Sequence, residues 1–161
     1  MKIRHNRYGA VESKSWGNVI KIVDNEDNNY SGKIINVNQN NQTSTHFHSK
    51  KHKTFYVLSG TLIIDIIEPD TAEIMSYEID SEETFEIEQN VAHRLRAVDS
   101  GVTVIEVSTF HDDKDVFRVI TKSNRVLIFA IGCFANIIIK IELFSYRIVG
   151  SVSHKRYSTS R

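Results

Sequence analysis

The apolar positions of this chain fall in short runs separated by polar connectors. Up to residue 121 the runs are VIKIVD (19–24), KIINV (33–37), STHFH (44–48), TFYVL (54–58), TLIIDII (61–67), EIMSYEI (73–79), TFEIE (84–88), HRLRAV (93–98), VTVIEVST (102–109) and VFRVI (116–120). Most are rich in β-branched and aromatic residues, which suit a pleated, half-buried strand. The connectors NEDNNYSG, NQNNQ, LSG, EPDTA, QN and DSG carry the Gly, Asn, Asp and Pro that turns demand. None of the runs sustains a helical period. Many short strands at near-regular spacing predict an all-β fold, an antiparallel sandwich or barrel. The Asn-rich stretch at 36–41 reads as a turn, because asparagine tolerates left-handed backbone.

Length and charge narrow the classes. A chain of 161 residues fits one domain, and a hydrophobic share of 40% is enough for a core. Twenty Lys+Arg balance twenty Asp+Glu, which argues against a dedicated nucleic-acid binder. The single cysteine, Cys133, excludes an internal disulfide and a cysteine-based zinc cluster. The opening MKIRHNRYGAVESKSWG has no apolar h-region, so the expectation is a cytoplasmic protein without a signal peptide.

The charge balance hides an asymmetry. Residues 122–161 carry seven basic groups against one acid, Glu142. We therefore expect residues 11–121 to form the barrel and residues 122–161 to be a non-barrel tail, apolar and then basic. Its apolar part, VLIFAIGCFANIII (126–139), is interrupted by Asn136 and stops at Lys140. A membrane helix needs about 20 apolar residues, so a buried strand pair or helix is the expectation, with Cys133 a small buried hydrophobe. The closing SVSHKRYSTSR is polar and basic, and is expected to be disordered.

The candidate chemistry lies in histidines. His46 and His48 are one residue apart. On a strand, residues i and i+2 face the same side, so two imidazoles can converge on one point inside a barrel. His93 begins another run, and a hairpin-rich chain can return it beside the first pair. Neutral imidazole serves zinc, iron, nickel and copper alike, so ligand type does not choose the metal.

The segment TSTHFHSKKHKTFYVLSGTLIIDI resembles the first motif of the cupin superfamily, a His-x-His pair followed by Glu and then Gly, with Gly60 in the glycine position. FEIEQNVAHRLRAV resembles the second motif, Pro-x-Gly-x-x-His, with His93 in the histidine position. SKSWGNVIKIV is similar to the KPWG opening of cupins of the mannose-6-phosphate isomerase type, with Ser15 replacing proline. VIEVSTFHDDKDVFRV (104–119) is similar to the end of the same barrel in sugar-isomerase-like cupins. The resemblance covers residues 11–121. It implies a single antiparallel cupin β-barrel, or jelly roll, with a divalent metal (Zn, Mn, Fe or Ni) held by His46, His48 and His93, and in many members a homodimer.

The sequence also departs from the motifs. Counting back from Gly60 puts the glutamate position at Lys53. An ammonium has three donors and no acceptor, so it cannot ligate a metal, and weak metal binding is expected. Two escapes stay open: burial leaves the lysine neutral, or a bulge turns His52 inward. Without a bulge His52 faces outward. In the second motif Asn90 takes the glycine position and Glu88 the proline position. Asn90 is the mildest replacement for a glycine at positive φ, so the turn should survive.

Lys53, Tyr56 and Arg96 are candidate substrate contacts. Tyr56 alternates with Phe55, so only one of them faces the interior. Arg94 and Arg96 flank His93 and should point away from the metal. Trp16 reads as a core or barrel-mouth residue, and His111-Asp112-Asp113 as a solvated turn. Two functions follow. One is a metal-dependent aldose–ketose isomerase acting on a small sugar or sugar phosphate, its catalytic base unassigned. The other is a non-catalytic cupin that binds a sugar or anion, for which Lys53 speaks. Neither a nucleic acid nor a membrane is an expected partner.

Overall fold

Alternating inward and outward side chains build the strands of this protein into two facing sheets. The structure, a computed structural model, describes residues 9–68, 71, 73–122, 125–130, 138–139 and 154–155. The chain opens with β1 (Ala10–Lys14), β2 (Gly17–Asn25), β3 (Tyr30–Val37), β4 (Asn41–Gln42) and β5 (His46–Phe47). It continues with β6 (Lys53–Ser59), β7 (Leu62–Ile67), β8 (Ile74–Ile79), β9 (Thr84–Ile87), β10 (Ala92–Ala97) and β11 (Val102–Ser108). A 3-10 turn at Asp113–Asp115 precedes β12 (Phe117–Lys122), β13 (Arg125–Ala130), β14 (Ile138–Ile139) and β15 (His154–Lys155).

The first sheet runs β1-β2-β3-β11-β6-β9, and the second β14-β13-β12-β5-β10-β7-β8-β15, with β4 also paired to β10. Among the described residues the ladders are antiparallel, apart from the short parallel pairing of β15 with β8. The expected all-β antiparallel barrel is therefore the observed architecture. Among the described residues no helix is long and apolar enough to cross a membrane. Within 126–139, β13 pairs with β12 on one side and β14 on the other, the strand-pair alternative for that segment. Cys133 lies outside the described residues. So does the closing segment 151–161, apart from His154 and Lys155.

Register stacks the inward residues in layers. Val102 lies opposite Val37, and Val104 lies opposite Ile35 and Val57. One step along, Glu106 lies opposite Lys33 and Phe55, and Ser108 opposite Ser31 and Lys53. On the second sheet Leu95 faces Ile64, while His93 faces Ile66 on one side and His46 on the other. The interior is thus apolar at one end, where Val57, Leu62, Ile64 and Val104 are fully buried. At the other end it is ionisable. Each fully buried aliphatic side chain contributes roughly 1.5–3 kcal/mol, so the apolar end stabilises the barrel while the other carries the chemistry.

Two turns fix opposite ends of the barrel, Gly60 at the apolar end beside Val102 and Asn90 at the polar end. Gly60 adopts φ 82°, and a Cβ there would come within 2.5 Å of the Gly101 carbonyl oxygen, so only glycine fits. Asn90 adopts φ 64°, as expected for a glycine position filled by asparagine. Its backbone N–H donates to the His48 carbonyl at 2.7 Å, tying the turn before β10 to the histidine segment.

Candidate functional site at the polar end of the barrel

β5 and β10 lie side by side, and His46 is the ladder partner of His93. Their ring centroids are 4.7 Å apart, and those of His46 and His48 are 5.2 Å apart. The three histidines therefore converge in the interior. Each Nδ1 rests on a backbone carbonyl: His46 on Ser44 at 2.8 Å, His48 on Asp115 at 2.7 Å and His93 on Val91 at 2.8 Å. A neutral ring that donates Nδ1–H to a carbonyl keeps Nε2 bare. The rings are neutral near pH 7. Burial, with Lys53 next in weight, pushes His46 down to about 4 and His48 to about 2. The same causes hold His93 well below the ordinary imidazole range.

Lys53 enters from the opposite sheet. It is only 3% exposed, and its Nζ lies 3.1 Å from His93 Nε2. Burial pushes its ammonium down to about 8, against the opposing pull of Glu106. Lys33 is buried on the same sheet, two strands away, and burial likewise lowers it to about 8. Lys51 is buried too, with Nζ 2.5 Å from Glu106 Oε1 and 3.4 Å from His111 Nδ1. Burial alone would raise the Glu106 carboxyl, but Lys53, Lys51 and Lys33 outweigh it and hold the group far below the usual carboxylate range. Asp115, also buried, is taken by Ser49 N, Ser49 Oγ and Lys50 N. Among the described residues, neither Lys33 nor Lys53 has a carboxylate within ion-pair distance.

The donor set meets one requirement of a metal and fails another. Three imidazoles with bare Nε2 atoms suit a divalent ion. The amine of Lys53 does not, because a bare Nε2 can only accept, so Lys53 donates into the lone pair that a metal would use. A charged ammonium there also repels a divalent ion. Among the described residues, no three His, Cys, Asp or Glu side chains are arranged to hold a metal. As placed, these residues do not fit the expected metal.

Protein-family models and curated proteins yield no match to the sequence. Solved structures match the fold. The capsular polysaccharide assembling protein CapF of Staphylococcus aureus superposes with a TM-score of 0.60 at 18% identity, over 67% of this chain and 33% of CapF. Oxalate decarboxylase of Bacillus subtilis superposes with a TM-score of 0.60 at 11% identity, over 68% of this chain and 30% of the enzyme. Both neighbours are cupin-fold proteins. The fold is that of a cupin. The chain spans about a third of the length of either neighbour.

The barrel places the other expected residues in different surroundings. Tyr56 is 37% exposed on the outer face, and it is Phe55 that fills the interior. Tyr56 therefore lines no interior site. Arg96 also faces outward, where with Arg94 it holds the buried Asp65 through Nε–Oδ2 contacts of 2.8 and 2.6 Å. That correction has a simple cause: period two puts both arginines on the face opposite His93. His52 stays outward, 2.7 Å from Glu86, so no bulge brings in a fourth histidine. His111 departs from the solvated turn expected for it. Its ring is mostly buried, lies 5.9 Å from that of His48, and bonds Asp113 at 3.0 Å. Trp16 packs against the core. Sequence reasoning missed Lys33, Lys51, Glu106 and Asp115. The signal for Lys33 was its alternation with the inward Ile35 and Val37, and for Lys51 its two-residue spacing from Lys53.

Proposed function

We propose that this cupin is a binding barrel for a small anion, with a sugar phosphate as the ligand class. The observation that carries this reading is the pair of buried lysines, Lys33 and Lys53, which lack a carboxylate partner among the described residues. An ammonium taken out of water without a counter-charge is costly. A phosphate dianion would supply both partners at once. It would also reach a third group, the Ser31 hydroxyl, which is buried beside Ser108 and has no hydrogen-bond partner among the described residues.

Room for the rest of such a ligand lies alongside. A cavity of about 310 Å³ is lined by Ile66, Tyr77, Phe85, Ile87 and Val91, among others. Ile66 is the ladder partner of His93, and Ile87 is the partner of Lys53. Tyr77 and Phe85 offer the aromatic faces on which a sugar ring stacks. The likeness to a capsular polysaccharide assembling protein agrees with a carbohydrate ligand.

The metal-dependent aldose–ketose isomerase that the sequence resemblance implies would need a divalent ion at the three histidines, and Lys53 opposes one. Thermal-shift and calorimetric titrations separate the readings. Mannose 6-phosphate, glucose 6-phosphate and inorganic phosphate should each raise the melting temperature, as any ligand of the folded state does. Mannose and glucose should not. Equal shifts from the neutral sugars would overturn the anion reading. Conversion of mannose 6-phosphate to the ketose in the presence of Mn²⁺ would establish the isomerase instead.

A further inference from the structure

We infer that the Lys53 side chain is the resident cation of this barrel, built from the chain itself and standing where the three imidazoles would otherwise share a metal ion. The inference concerns what holds the two sheets together, so it does not depend on which ligand the cavity takes.

The geometry carries it in three steps. First, the direction of the contact is fixed. His93 commits Nδ1–H to the Val91 carbonyl, so its Nε2 has only a lone pair to offer, and Lys53 Nζ, 3.1 Å away, must be the donor. Second, the contact is sealed. His93 is 1% exposed, and the Lys53 ammonium lies 5.7 Å from the centroid of the Phe55 ring, a cation–π position that helps fix its place. Third, the contact joins the sheets. Lys53 begins β6 in the first sheet, whereas His93 and its neighbour His46 belong to β10 and β5 in the second. One N–H···N bond therefore makes the link across the barrel that a metal would make by coordination.

The acidic side of the arrangement agrees. The first motif that the sequence resembles adds a glutamate to its histidines. Here the buried Glu106 is turned onto Lys51 at 2.5 Å and lies opposite Lys33 in the ladder, so its charge is spent on lysines.

Cobalt(II) is the probe, because its visible absorption reports imidazole coordination. The wild-type protein should show no saturable spectral change with micromolar Co²⁺. Lys53→Met removes the donor and frees His93 Nε2, and Lys53→Glu adds a carboxylate at the same place. Both variants should bind Co²⁺ more tightly than wild type, by at least about a hundredfold. Saturable uptake of micromolar Co²⁺ by the wild-type protein would overturn the inference, and this arm needs no variant to fold. Nitrogen-15 spectra of the wild-type imidazoles give a second test. His93 should appear as the Nδ1–H tautomer, with an Nε2 shift typical of a hydrogen-bonded lone pair. An Nε2–H tautomer would overturn the inference. Loss of phosphate binding in Lys53→Met without any gain of Co²⁺ would leave the anion site standing and reject the resident cation, so the two proposals fail separately.

Discussion

Lys33 illustrates how one residue sets a property of the molecule. Alternation with Ile35 and Val37 carries it inward, where it faces Glu106 and Lys51, with Asp24 and Lys53 contributing at longer range. Burial lowers its pKa from 10.5 to about 8. Between those values the unfolded chain binds the proton that the folded chain has released, so stability rises with pH across the window. At pH 7 the full cost of the buried charge is present, on the order of 3 kcal/mol. Denaturant unfolding at pH 7, 8.5 and 10 should therefore show increasing stability, and Lys33→Met should flatten much of that slope while raising stability at pH 7. A wild-type curve that stays level or falls over this range would contradict the burial of a charged Lys33.

At the scale of the element, the first sheet has an outer face that water does not suit. Val11, Ile20, Ile34, Ile105 and Tyr56 are successive ladder partners, so one apolar line crosses five strands. Val11 at its end is 63% exposed, and Leu58 and Val107 add to the same surface. We propose that a second copy of the chain covers this face, since an apolar line of this kind can pair with itself about a two-fold axis. Sedimentation should give a dimer for the wild type and a monomer for Ile105→Asp; equal masses would remove this face from consideration.

Element existence was legible in the sequence because turns punctuate the runs so often that strand ends coincide with Asn, Gly and Asp. β1 was not legible, because AVESK has a single large apolar residue and gains its place by pairing with β2. Within the site, His46, His48 and His93 were legible from period two and from motif position. Glu106 was not, because β11 is apolar on both faces: Val102 and Val104 point in, while Ile105 and Val107 point out. Period two then marks no interior side. Tyr56 failed for the same reason, since TFYVL alternates large residues on both faces.

Over the whole molecule, the layered interior divides the barrel into halves with unequal resistance to local opening. Around Val57, Leu62, Ile64 and Val104 nothing favours water. Around Lys33, Lys51, Lys53 and Glu106, every charged group regains solvation when the strands part. Fluctuations short of unfolding should therefore begin at the polar end and stop at the layer of Phe55 and Leu95. Amide hydrogen exchange reads this directly: Val57 and Val104 should exchange at the rate of global unfolding, and His93 and Lys53 at least about tenfold faster. Uniform protection along β6 and β10 would contradict it. Such breathing gives the buried lysines an entrance without a dedicated lid, and a bound anion, by cancelling the charge that favours opening, would slow exchange at that end first.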